Sequence, residues 1–215
     1  MFSIGILIFD DVEILDFSGP YEVFSTAARV HARLPGAQTL FRCFLIAEEM
    51  RPIRSRGGMR VLPDCVLLPT EDIDVLIVPG GDVSDVLDNP AVIKWIHSQS
   101  KAAMITASVC TGAFLLAKAG LLDGLRATTH WQDQDELQAT FPAVTVCHDV
   151  PWIDCGNIVT SAGIAAGIDM SLHLVERLAN GQLAKATAKQ MEYRWKPHGT
   201  DNAAFTTDSS LYFAA

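Results

Sequence analysis

Apolar residues in this chain come in short unbroken blocks, separated by stretches with helical spacing. Ser3 to Phe9, Phe41 to Ala47, Asp74 to Val78 and Ala102 to Val109 are blocks of strand length. They are too continuous for strands with one wet face and read as strands buried on both faces. Between them, Gly19-Pro20 opens a helix through His31, with proline in the first turn, where its missing N–H is harmless. Pro90 opens another helix through His97, and Thr111 to Ala119 has the spacing of a third. Arg56 to Pro63, with Gly57 and Gly58, reads as a turn and an edge strand. Leu125 to Thr129 reads as a strand, Gln132 to Thr140 as a helix, and 144–146, 150–153 and 157–160 as short strands. Two helices, about 164–179 and 183–195, precede a polar, irregular tail at 196–215. Strands alternating with helices predict one α/β domain over 1–195, a mostly parallel sheet sandwiched between helices. Ligands of such sheets bind beyond the carboxyl ends of the strands. That convergence draws together three loops: residues 10–19, residues 79–82 and the join at Cys110.

Cys110 ends the strand-like block and starts the helix-like one, with Gly112 just beyond. A chain that turns sharply from strand to helix lifts the joint residue out of the sheet, as in a nucleophile elbow. The side chain then faces the unpaired N–H groups of the helix start, which favour negative charge. On this reading the Cys110 thiol should titrate below the ordinary value of about 8.5. Buried cysteines more often only pack. Cys43, Cys65, Cys147 and Cys155 lie away from any such join and read as inert.

Composition narrows the function classes. Hydrophobic residues make up 49% and charged residues 19% of the 215, enough for a large core. The net charge of −9, with Lys and Arg scattered, argues against nucleic acid and against an anionic membrane surface. The first apolar run has no basic start and meets Asp10-Asp11 at once, unlike a secretory leader. No stretch reaches the roughly 20 apolar residues of a membrane span. Five cysteines without C-x-x-C spacing suit a reducing cytoplasm rather than a disulfide framework or a zinc site. Asp169 and His173, four apart on a helix, read as an ion pair rather than metal ligands, so no metal is expected.

Five segments, in this order, carry a resemblance. They are Leu15-Asp16-Phe17-Ser18-Gly19-Pro20, then Asp74 to Gly81, then Val109-Cys110-Thr111-Gly112, then Ala127-Thr128-Thr129-His130-Trp131, and last Ser161 to Asp169. Together they resemble the ThiJ/PfpI superfamily, whose fold is flavodoxin-like and belongs to the class I glutamine amidotransferase-like group. The resemblance covers Ile4 to about Tyr193. Within it the likeness runs to isocyanide hydratases, which add water to an organic isocyanide and give an N-substituted formamide without a cofactor. The same domain also occurs fused to AraC-type DNA-binding domains, where it implies ligand sensing. A third reading is a redox or stress sensor that uses Cys110 oxidised to a sulfinic acid. Thr111 stands where the peptidase branch carries His, and Asp16 where the chaperone and glyoxalase-like branches carry Glu. Arg194 to His198 replaces the acidic, proline-rich tail of the hydratases.

Carried onto these positions, the resemblance implies Cys110 as nucleophile and Asp16 as its acid, the two sharing one proton. Asp16 is also a plausible helix cap before Gly19-Pro20. Thr111 implies an N–H for developing charge and a hydroxyl that holds water, or else a common helix-start residue. Gly81 offers a bare amide to complete an anion pocket with Thr111, or serves a tight turn. His130 should lie near Cys110, where it orients the thiol and lines the substrate site, or packs on Trp131. The expected partners are a small-molecule substrate and a second copy in a homodimer.

Overall fold

The protein is described from a computed structural model, over residues 1–67 and 73–195. The expected tail at 196–215 lies outside the described residues. The elements in chain order are β1 (Phe2–Leu7), α1 (Ile14–His31), β2 (Phe41–Ala47), β3 (Ile53–Arg54), β4 (Arg60–Val61), β5 (Cys65–Val66) and β6 (Val75–Val78). They continue with α2 (Ser84–Leu87), α3 (Pro90–Ala102), β7 (Ile105–Val109), α4 (Gly112–Lys118), β8 (Arg126–Ala127) and α5 (Gln134–Thr140). The last are β9 (Thr145–Val146), β10 (Trp152–Asp154), β11 (Ile158–Ser161), α6 (Ala166–Leu178) and α7 (Gly181–Gln190).

Seven strands form one sheet in the order β10-β11-β7-β6-β1-β2-β5. All neighbours run parallel except β10, which meets β11 antiparallel. β7, β6 and β1 lie side by side at the centre of this sheet. Every residue of β6 is fully buried, so both faces of the strand are covered, as its unbroken run of Val75, Leu76, Ile77 and Val78 requires. Helices α1, α6 and α7 pack on one another as one group, and α2, α3 and α4 as another.

Register decides where the loops emerge. Ile6 pairs with Ile77, Val78 with Ser108, and Val109 with Ser161. The carboxyl ends of β1, β6, β7 and β11 therefore lie along one edge, and four loops leave from it.

Several boundaries differ from the sequence reading. Residues 10–19 are not one loop: α1 starts at Ile14, and Pro20 lies inside it. The Glu13 carboxylate accepts the Ile14 N–H at 3.1 Å, and burial of Phe17, Pro20, Val23 and Phe24 outweighs the hydrogen bond that proline cannot make. Asp16 is thus in the first turn of a helix rather than capping one. Residues 102–104 close α3 and its exit, and β7 begins only at Ile105. The strand expected at 125–129 shrinks to β8, which pairs with β9 outside the main sheet.

Because β6 is packed on both faces, truncating it leaves a cavity that the neighbouring strands cannot fill. Ile77→Ala should lose about 3 kcal/mol of unfolding free energy in urea titrations. A loss below about 1 kcal/mol would contradict the two-sided burial.

Candidate active site

The join of β7 and α4 forces Cys110 into left-handed backbone, with φ of 57°. For a residue with a Cβ this costs on the order of 1–3 kcal/mol and persists only where surrounding bonds hold it. Three do so here. The Cys110 N–H donates to the Ser161 carbonyl at 3.1 Å. The Cys110 carbonyl accepts the Thr129 hydroxyl at 2.7 Å and the Ala113 N–H at 3.3 Å. The elbow is therefore tied to β11 on one side and to the residues after β8 on the other.

Asp16 reaches the same place from α1. Its side chain is fully buried, and Oδ2 accepts the Gly80 N–H at 3.1 Å. Oδ1 has no hydrogen-bond partner among the described residues. Burial is the main influence on this carboxyl and pushes it up to about 7. The Gly80 N–H opposes that rise, and the nearby Glu13 charge adds to it.

The thiol and the carboxyl act on each other. Burial first, and then the Asp16 charge, push Cys110 up to about 12, against the weaker opposing pull of the Thr111 N–H. This corrects the expectation of a lowered thiol pKa. Helix α4 has only seven residues, so its dipole is small, and it cannot offset the loss of water around the sulfur. A buried acid and a buried thiol that repel each other's charge are both protonated below about pH 7 and hold one proton between them above it.

Thr111 and Gly81 are brought together, but not as an open anion pocket. The Gly81 N–H donates to Thr111 Oγ1 at 2.9 Å, and that hydroxyl donates back to the Gly81 carbonyl at 2.9 Å. Both groups clamp the β6 exit to the elbow, which occupies the Gly81 amide and the hydroxyl proton of Thr111. Toward the sulfur Thr111 offers its backbone N–H and, more weakly, its hydroxyl. Gly81 has φ of 135°, and an added Cβ would run into the backbone of Asp11, Val12 and Glu13. Its glycine serves that close approach.

His130 does lie beside Cys110. The link is Gly163, in the loop after β11: a Cβ added there would sit 3.2 Å from Cys110 Sγ and would collide with the His130 ring. His130 Nδ1 lies 3.2 Å from Asp133 Oδ2, and the ring leans on Trp131, with centroids 5.9 Å apart. Gly163, Thr129 and Asp133 were not singled out by sequence reasoning. Thr129 and Gly163 fall within quoted segments, but only the fold shows that they touch the elbow. Trp131 and Ile164 are exposed on either side of this cluster.

The second candidate pair separates. His173 Nε2 lies 2.7 Å from Asp154 Oδ2, and Asp169 is hydrogen-bonded with Tyr193. Among the described residues no group of three or more His, Cys, Asp and Glu side chains is arranged to hold a metal, and no helix is long and apolar enough to cross a membrane. The five cysteines form no disulfide among the described residues.

A flavodoxin-like sheet with a strained cysteine at the β7 carboxyl end and a buried acid beside it defines a class of α/β proteins. Residues 2–177 match the DJ-1/PfpI family, and the chain belongs to that family. It is 35% identical to an isonitrile hydratase of Pseudomonas putida, over 97% of this chain and 86% of that protein. It is 32% identical to the HTH-type transcriptional regulator CdhR of Pseudomonas aeruginosa, over 86% of this chain but only 53% of the regulator. A ThiJ/PfpI family protein from Pseudomonas syringae superposes with a TM-score of 0.81 at 25% identity, covering 97% of this chain and 82% of that one.

Asp16 gives stability a pH dependence of known sign. Its folded pKa is raised to about 7 above the ordinary 3.8, so the unfolded chain loses this proton first as pH rises. Stability should then fall between about pH 4 and pH 7 and stay low above it. Asp16→Asn removes the penalty, since an amide can still accept the Gly80 N–H. The variant should be more stable than wild type at pH 8, by an amount on the order of a few kcal/mol, and show no such advantage at pH 4. Parallel urea titrations at the two pH values check this, and an equal difference at both would contradict it.

Proposed function

We propose that this protein is a cofactor-independent, thiol-dependent hydratase that converts a small organic isocyanide into an N-substituted formamide. The observation that carries the reading is the fully buried Asp16 carboxyl, raised to about 7 and set against the strained Cys110 thiol. An acid poised near neutrality is matched to donating a proton at working pH. The likeness to isonitrile hydratase over nearly the whole chain supports the choice of substrate class.

The chemistry follows from the pair. Cys110 Sγ forms a bond to the terminal isocyanide carbon while its proton passes to Asp16. Asp16 delivers that proton to the same carbon, which leaves a neutral thioimidate on the sulfur. Holding the proton inside the pair avoids a free thiolate, which burial disfavours. Water then adds to the thioimidate carbon, the C–S bond breaks, and the formamide leaves with the thiol restored. No electrons are exchanged with a third party, so the reaction calls for no redox cofactor. Covalent catalysis splits one difficult addition into two easier ones. The Thr111–Gly81 clamp and the Thr129 hydroxyl hold the elbow in place through both.

Cys110→Ala and Asp16→Asn should each reduce formamide formation from an aryl isocyanide by about 1,000-fold or more. The double variant should be little worse than either, because the two act as a unit. If wild-type protein leaves isocyanides unchanged yet binds a small metabolite with Cys110 unmodified, the hydratase reading fails and ligand sensing takes its place.

A further inference from the structure

A fully buried carboxyl feels nearby charges through protein rather than water, so a charge close to Asp16 weighs more on it than it would at the surface. Two such charges stand beside it, and the proton exchange between thiol and acid involves neither directly. Glu13 is three residues ahead, at the start of α1, and Arg56 comes from the turn between β3 and β4. We propose that Glu13 and Arg56 are positioning residues for the hydration: they form an opposed charge pair that sets how readily Asp16 exchanges a proton with Cys110. This rests on the hydratase reading above and names what tunes its acid.

The backbone holds both residues in place. The Glu13 N–H donates to the Gly80 carbonyl at 2.9 Å, and the Gly80 N–H donates to Asp16 Oδ2 at 3.1 Å. One residue of the β6 exit therefore ties Glu13 to the acid. The Asp16 N–H returns to the Glu13 carbonyl at 3.2 Å, and Glu13 Oε1 accepts the Ile14 N–H at 3.1 Å, which keeps its carboxylate at the helix start. On the other side, the Asp11 N–H donates to the Arg54 carbonyl at 2.7 Å, and the Arg56 N–H to the Val12 carbonyl at 3.0 Å. These bonds lay the β3–β4 turn against the loop after β1. Gly57, next in that turn, has φ of 78°, and a Cβ added there would lie 3.9 Å from Ile14 Cδ1. The turn thus rests on the first residue of α1, and Arg56 Nη1 comes within 3.8 Å of Glu13 Oε2. An ion pair whose arginine is 59% exposed adds little to stability. Its significance is what the two charges do to Asp16.

They act in opposite directions. Burial does most to raise Asp16, the Glu13 charge adds to that rise, and the Arg56 charge opposes it. Cys110 faces the same carboxyl from the elbow and is itself pushed up by it. The balance matters because Asp16 has two tasks. It must be ionised to take the thiol proton, and it must then hold that proton until it passes to carbon. With Glu13 alone, the acid stays protonated at neutral pH and cannot receive the proton. With Arg56 alone, the carboxylate is a poorer base for a buried thiol. The opposed pair keeps Asp16 between these limits.

The test is a titration of the Asp16 carboxyl by carbon-13 NMR, in protein labelled at the aspartate carboxyl carbon, with the resonance identified by its loss in Asp16→Asn. Glu13→Gln, which can still accept the Ile14 N–H, should lower the Asp16 midpoint by about one pH unit. Arg56→Gln should raise it by less, about half a unit, because the exposed guanidinium is screened. The double variant should return close to wild type, which two structural defects would not do. The pH profile of Cys110 adduct formation with an aryl isocyanide, followed by quenched-flow mass spectrometry, should move in the same directions, since attack needs ionised Asp16. The proposal is overturned if the single variants leave the carboxyl midpoint in place or move it the same way, or if the adduct profile stays put while the midpoint moves. Failure of the hydratase reading looks different: wild-type protein then forms no adduct at any pH, and the carboxyl titration, which needs no substrate, still decides whether the pair acts on Asp16.

Discussion

The left-handed backbone of Cys110 is the constraint on which the site depends. A non-glycine residue takes that conformation only when its neighbours hold it, and the neighbours here are the segments that line the candidate site. β11 accepts its N–H, and Thr129 binds its carbonyl. The next residue, Thr111, clamps the exit of β6. The parallel register of β1, β6, β7 and β11 makes this possible, because it ends four strands on one edge. The cost of the bend is thereby set against burial in the central sheet, and the thiol is pointed at the start of α1 and the loop after β11.

From that placement the electrostatics follow. The seven-residue α4 offers the sulfur little field, whereas removal from water and the Asp16 charge both oppose ionisation. A thiolate stabilised in advance is therefore not what the site provides. It provides a proton held between two groups that cannot both be charged, with a histidine on the wetter side.

Much of the sheet was legible in the chain. Val75 to Val78 announces a doubly buried strand through an unbroken apolar run, and the change from strand length to helical spacing at Cys110 marks the elbow. The start of α1 was not, because Pro20 looks like a first-turn residue, and only the burial of Phe17 and Pro20 explains how the helix absorbs it. The fold brings Asp16 and Cys110 together, as the resemblance implied, but the thiol shift has the opposite sign to the one expected, since spacing reveals a helix start and not how deeply sulfur is buried. The clamp between Gly81 and Thr111 and the contact of Gly163 with His130 depend on loop geometry 30 or more residues apart, to which local pattern gives no access.

The central claim is that Cys110 and Asp16 hold one proton between them in a buried site. The alkylation rate of Cys110 by iodoacetamide, followed against pH in wild type and in Asp16→Asn, tests it most directly. The account predicts a wild-type midpoint well above the ordinary thiol value of about 8.5 and a clear downward move when the Asp16 charge is removed. A wild-type midpoint at or below 8.5, or one that Asp16→Asn leaves in place, would contradict it.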